Sequence, residues 1–166
     1  PADAQFIGRW SPRAFNGEAL SHAQVMALIE AARWAPSCFN SQPWRFVYAT
    51  KDSEHWPAML NLLMDMNQAW AQHAGALIAV VSRKTFQGND APAPTHSFDT
   101  GAAWMSMALQ AQAMGLASHA MWGIEHNDIP TALNLPDNMQ IQAMVAVGAV
   151  GNKADLPEPL QEREQP

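Results

Sequence analysis

Between Ser21 and Ala35 (SHAQVMALIEAARWA), Val25, Leu28, Ile29, Ala32 and Trp34 fall close to one face at helical spacing. Ser21 is a natural N-cap and Pro36 lies just past the end, so the stretch predicts an amphipathic helix. Pro43 to Thr50 alternates bulky and polar residues and is rich in aromatics, the pattern of a strand. Ser53 to Met66 reads as a helix with Pro57 in its first turn. Ala76 to Val81 is a short unbroken apolar run and predicts a strand covered on both faces. Phe86 to His96, dense in Gly, Pro, Asn and Asp, predicts a mobile loop of a length that suits an active-site lid. Phe98 to Leu116 is the longest helical stretch, small or apolar on nearly every face. Such a helix is expected to be buried on several sides, inside the domain or at a subunit contact. A strand around His119 to Ile124, a helix around Asn127 to Leu133 and a strand from Ile141 to Gly148 complete the order. This alternation, without an internal repeat, indicates a layered α+β or α/β domain around a small central sheet.

Composition narrows the class. A chain of 166 residues that is 48% hydrophobic and 14% charged has material for one compact domain, residues 1–166, and not for two ordinary ones. Seven Trp and ten Met exceed what a small core usually needs, leaving open a Met-rich core or apolar area buried against another subunit or a flat aromatic ligand. A net charge of −6 with nine Lys and Arg argues against nucleic acid as a partner, because that affinity comes mostly from cations on phosphates. The single cysteine, Cys38, allows no internal disulfide and suits a reducing cytoplasm. No apolar run reaches the length of a membrane span, so no membrane association is expected.

Two segments carry candidate chemistry. Gly8-Arg9-Trp10-Ser11-Pro12-Arg13 concentrates two cations and a hydroxyl in a chain poor in cations, and two guanidinium forks with a hydroxyl can converge on one phosphate. An ordinary basic surface turn has the same composition. Ala35-Pro36-Ser37-Cys38-Phe39-Asn40-Ser41-Gln42-Pro43-Trp44 joins the first helix to the first strand. Its prolines stiffen the connection, and Ser37, Asn40 and Gln42 can meet the polar edge of a heteroaromatic ligand, although a plain capped turn also fits. The six histidines are scattered without ligand spacing, so no metal is expected. Cys38 has no adjacent charged activating group and reads as a spectator thiol. Trp34, Trp44, Trp56 and Trp104 are expected in the core, whereas Trp70 and Trp122 could serve either core or ligand.

Together the two segments resemble the FMN-dependent nitroreductase family. They match it in order and spacing, with an Arg-x-Ser-x-Arg-x-Phe opening at Arg9 to Phe15 and then Ala-Pro-Ser-x-x-Asn-x-Gln-Pro-Trp at Ala35 to Trp44. The resemblance continues with Asn67, with Asp99 and Gly101 opening the long helix, with Gly115-Leu116 closing it, and with Gly148 and Gly151 after the last strand. It implies an α+β nitroreductase-like fold, with a mostly antiparallel central sheet flanked by helices, in a domain-entwined homodimer with shared active sites. It also implies FMN as cofactor and NAD(P)H as co-substrate. By position, Arg9, Ser11 and Arg13 would hold the FMN phosphate and ribityl chain, with Trp10 contributing backbone. Pro36, Ser37, Cys38, Phe39, Asn40 and Gln42 would reach the cofactor across the dimer interface. Asn67, Trp122 and Gly123 would lie beside the ring, where a glycine permits close approach.

This chain departs from the family at two places. Members often carry a Lys three residues after the Asn at position 67, at the pyrimidine edge of the flavin, and here that residue is Trp70. Trp70 is therefore expected beside the flavin as a cofactor-binding residue, and in an acceptor pocket with Phe39 and residues of the Phe86 to His96 loop. Members also usually end with a basic residue on the phosphate, for which Arg163 matches better than Lys153, and they commonly continue into a further short arm. The implied activity is ping-pong transfer of reducing equivalents from NAD(P)H to a small flat acceptor such as a nitroaromatic, quinone or enone. It needs no acid or base side chain, so no residue is assigned as catalytic. A flavin-binding or regulatory module without turnover is the alternative.

Overall fold

A computed structural model describes residues 1–166. Four strands form one sheet in the order β1-β2-β4-β3: β1 Trp44–Thr50, β2 Ala76–Arg83, β3 Ala117–Met121 and β4 Met139–Gly148. Every neighbouring pair is antiparallel, so the mostly antiparallel sheet expected from the resemblance is present. The longer helices are α2 His22–Arg33 and α5 His96–Ala113. Five short ones, α1 Ala4–Gly8, α3 Trp56–Leu60, α4 Asp65–Ala71, α6 Ile129–Ala132 and α7 Glu158–Gln161, fill the connections.

The apolar run in β2 reflects helices on both sides of the sheet. Ala76, Ile78 and Val80 point into a cluster with Val25, Leu28, Ala32, Met107 and Val145 beneath α2 and α5. Leu77, Ala79 and Val81 point the other way, toward Trp56, Leu63, Trp70, Met144 and Ala146. The period of two thus distributes one strand between two half-cores. α2 starts as its sequence requires, with Ser21 and Gln24 forming a reciprocal capping box.

Several expectations are corrected. The helix expected over Ser53 to Met66 is broken into α3 and α4, because residues between them pair with the segment leaving β3. Met64 N–H donates to Gly123 O at 3.1 Å, Glu125 N–H donates to Leu62 O at 2.9 Å, and Leu63 bridges Ile124. For the same reason β3 ends at Met121 rather than continuing to Ile124. The segment expected as a loop over Phe86 to His96 makes a hairpin-like excursion, in which Arg83 Nη2 meets Asp90 Oδ1 at 2.6 Å and Phe86 N–H donates to Ala91 O at 2.8 Å. Its last residue, His96, already belongs to α5. Trp34 is 77% exposed instead of in the core, its indole N–H donating to Glu30 Oε1 at 3.0 Å. α5 is covered along Ala103, Met107, Ala108 and Ala111, while Phe98 on another side stands 82% exposed.

Candidate functional site

The basic turn follows α1 directly. Arg9 caps that helix in extended conformation, and its Nη1 donates to Ser11 Oγ at 3.3 Å. Arg9 and Ser11 border one cavity of about 400 Å³ with Phe6 and Trp104, and Arg9 and Trp10 border a second of about 220 Å³ with Gln112. The ion pairs of the chain are Arg33–Glu30, His55–Glu54 and Arg83–Asp90, so neither Arg9 nor Arg13 is neutralised by a carboxylate. Both are only half-exposed. A partly buried cation without a counter-ion is costly unless an anion completes it.

The turn is braced from below. His119 on β3 lies against Pro12 O at 3.1 Å through Nδ1, and burial holds its imidazole below the usual range, with the nearby Arg13 charge acting in the same direction. The hydrogen bond to Pro12 O pulls the other way and outweighs the push from Arg13, with the Ser11 backbone and the Glu164 charge adding smaller pulls. Arg163 is exposed at the chain's end, next to buried Glu164, whose Oε1 accepts from the N–H groups of Arg13 and Ala14.

Trp70 is corrected most firmly. Its indole is 1% exposed, with ring centroids 6.2 Å from Phe15 and 4.7 Å from His119. An aromatic at that position in α4 points into the half-core below the turn, because Ala71, Ala74 and Leu63 surround it. Trp70 borders none of the cavities at Arg9 or at Phe39, and buried to this degree it offers no face to a ligand. Asn67, one helical turn earlier, is half-exposed, and its Nδ2 donates to Gly123 O at 2.9 Å. A Cβ at Gly123 would lie 2.7 Å from that same nitrogen, so a larger residue here would displace the Asn67 amide from its bond to Gly123 O. Trp122 is exposed, its ring 4.2 Å from His126.

The loop between α2 and β1 forms a tight turn over Cys38–Asn40. Phe39, Asn40 and Gln42 all have positive φ, of 51°, 54° and 47°. Asn tolerates that region, whereas Phe and Gln each do so at a cost of order 1 kcal/mol or more. The strain is held by specific bonds: Gln42 N–H donates to Ser37 Oγ at 3.0 Å, and Arg45 Nη1 donates to Gln42 O at 3.1 Å. Cys38 N–H donates to Asp99 Oδ2 at 3.2 Å. Asp99 also accepts from Thr95 Oγ1 at 3.0 Å, and so ties this loop to the first turn of α5. Pro36 is exposed and Cys38 half-buried and unbridged. Phe39 is 90% exposed and meets Phe86 edge to face at 5.9 Å. Together with Asn40, Ser41, Gln42 and Gln87, these two rings border an open cavity of about 670 Å³. The expected meeting of Phe39 with the 86–96 loop is therefore present, without Trp70.

Within one chain, the arginine turn and the Asn67–Gly123 pair are joined through Trp70 and His119. The Pro36–Gln42 loop stands apart, at the opposite end of α5. Asp99 beside the loop and Ala108 or Gln112 beside Arg9 are separated by about 14–20 Å along the helix at a rise of about 1.5 Å per residue. Asp99 was noticeable in the sequence only as part of a family pattern. Glu164 and His119 gave no sign of their roles, since each acts on a segment more than a hundred positions away.

Known proteins resemble the whole arrangement. The model of the nitroreductase family matches residues 7–69 and 53–149. A solved structure described as an oxidoreductase containing FMN is 47% identical, covers 100% of this chain and 85% of its own, and superposes with a TM-score of 0.96. A chain from Exiguobacterium sibiricum solved in complex with FMN shares the fold at 23% identity and a TM-score of 0.78, with 99% and 97% of the two chains covered. The NADH dehydrogenase of Thermus thermophilus is 28% identical over 171 aligned positions, 86% of this chain and 83% of that protein.

Proposed function

This chain belongs to the nitroreductase family, and from that premise we propose that it is an NAD(P)H-dependent FMN oxidoreductase acting as a homodimer on small flat acceptors. The observation that carries the reading is the pair of half-buried arginines, Arg9 and Arg13, left without carboxylate partners beside Ser11. That donor set fits the phosphate of FMN. Arg9, Ser11 and Arg13 would bind the phosphate and ribityl chain, with Trp10 contributing backbone and Arg163 approaching from the exposed end of the chain. Asn67, Trp122 and Gly123 would border the ring, the glycine leaving its backbone bare. Ser37, Asn40 and Gln42, on the loop from Pro36 to Gln42 that also carries Cys38 and Phe39, would complete the site from the second subunit.

When bound, FMN would supply the redox chemistry, taking a hydride from NAD(P)H and passing reducing equivalents to the acceptor in ping-pong fashion. The chain's own part is to bind, orient and exclude water. Phe39 and Phe86 offer an aromatic wall to a flat acceptor, and the amides of Asn40, Gln42 and Gln87 offer polar contacts without charge. Support for the dimer comes from the large apolar side chains left in water, Trp34, Phe39, Phe98 and Trp122 among them. No helix is long and apolar enough to cross a membrane. The lone Cys38 suits the reducing cytoplasm.

The test is to purify the protein, record flavin absorbance, and add NADH and NADPH anaerobically. Bound flavin that bleaches within turnover times supports the enzyme. Bound flavin that stays oxidised would leave a binding module, and absence of flavin affinity would reject the proposal. Light scattering should give a dimer, and a stable monomer retaining FMN would refute the shared site. Arg13→Ala should weaken FMN binding by about ten- to hundredfold, from loss of a charge-assisted bond of order 1.5–3 kcal/mol.

A further inference from the structure

The turn from Ser11 to Ala14 has no regular secondary structure to fix it, yet four of its backbone groups are engaged by residues from elsewhere in the chain. Pro12 O faces His119 Nδ1 at 3.1 Å, and Ala14 O accepts from Gly151 N–H at 2.8 Å. The consecutive N–H groups of Arg13 and Ala14 both donate to a single oxygen, Glu164 Oε1, at 2.8 Å each. Glu164 is 7% exposed, and its other oxygen, Oε2, is buried with no hydrogen-bond partner. No cation pairs with it.

A buried carboxylate that receives only two backbone bonds is an expensive way to satisfy them, and it brings a negative charge toward a turn whose own side chains are cationic. The arrangement makes sense if the conformation of the turn is what it secures. By capturing both N–H groups, Glu164 removes them as donors and leaves recognition of an anion to the side chains of Arg9, Ser11 and Arg13. It also pins the last residues of the chain, Arg163 included, against the start.

We infer that Glu164 is a positioning residue for phosphate recognition, a clasp that holds the backbone of the Ser11–Ala14 turn in the conformation that binds FMN. This rests on the reading that Arg9, Ser11 and Arg13 hold the phosphate of FMN. A general structural role would weaken every flavin alike. A positioning role at the phosphate turn discriminates FMN from riboflavin, which has the same ring and no phosphate.

The experiment titrates the apoprotein of wild type, Glu164→Ala, Glu164→Gln and Arg13→Ala with FMN and with riboflavin. Glu164→Ala is expected to weaken FMN on the order of tenfold while riboflavin changes by less than about twofold, the scale of one or two lost bonds. Glu164→Gln keeps a carbonyl oxygen able to accept both N–H groups, and should restore most of the FMN affinity. If Glu164→Ala does not fold, Glu164→Asp, which keeps the charge and shortens the reach, should show the same selective loss. Equal losses for FMN and riboflavin, or an FMN affinity unchanged in Glu164→Ala, would overturn the inference. If FMN binding is unchanged in Arg13→Ala as well, the phosphate assignment itself fails. If Arg13→Ala alone weakens FMN, only the clasp is refuted.

Discussion

Replacing Trp70 by alanine separates a core residue from a residue at the edge of a flavin. In the structure its indole is 1% exposed and packed against Phe15 and His119. A side chain of this kind removes about 150–250 Å² from water, about 4–6 kcal/mol at about 25 cal/mol per Å². That is an upper estimate, because the unfolded chain already hides part of the area, and measured Trp to Ala losses in cores are about 3–5 kcal/mol. In a chain of this length each kcal/mol lowers Tm by about 2–4 °C, so Trp70→Ala apoprotein should melt about 6–20 °C lower. The assay is thermal unfolding followed by circular dichroism, with and without saturating FMN. Ligand stabilisation depends on the affinity of the folded protein, so the FMN-induced rise in Tm should be close to wild type wherever the variant still folds. A fall of less than about 3 °C without FMN, together with loss of the FMN-induced rise, would show that Trp70 contacts the cofactor and that its burial contributes little.

Two further outcomes follow from the buried polar groups. Burial holds the imidazoles of His119 and His96 below their usual value of 6.5, with Lys84 pushing His96 the same way. The unfolded chain therefore takes up protons that the folded chain refuses, and stability should be constant above pH 6.5 from these groups and fall as the pH drops through it. Urea midpoints between pH 7.5 and 5 measure this, and a smaller fall in His119→Gln is expected; a fall of the same size in that variant would remove His119 from the account. Asp99→Ala should release the Ser37–Gln42 loop, since the Cys38 N–H and the Thr95 hydroxyl lose their acceptor, at about 1.5–3 kcal/mol locally. Hydrogen exchange followed by mass spectrometry should show faster exchange confined to this loop and the first turn of α5, and unchanged protection there would contradict the anchoring.

Much of the fold was legible along the chain because it depends on local chemistry. Ser21 as N-cap set the start of α2, the apolar run from Ala76 to Val81 marked the strand that both half-cores share, and the glycine and proline content of residues 86–96 marked a break before the long helix. The motifs at Arg9–Arg13 and Pro36–Gln42 were visible for the same reason, as clusters of uncommon side chains at short spacing.

What tertiary structure decided are the matters in which a residue's partner is distant in sequence. The helix expected over Ser53–Met66 is interrupted because Leu62 to Met64 bond to the segment Gly123–Glu125, and helical propensity cannot report a competing partner some sixty positions away. Trp70 and Trp34 exchange their expected places because periodicity identifies a face of a helix but not what that face meets. α4 turns its tryptophan under Phe15 and His119, while α2 ends with its own in water, held by Glu30. Glu164 is buried because the last residues fold back onto Arg13 and Ala14, and only there do two backbone donors meet one oxygen of a carboxylate removed from water.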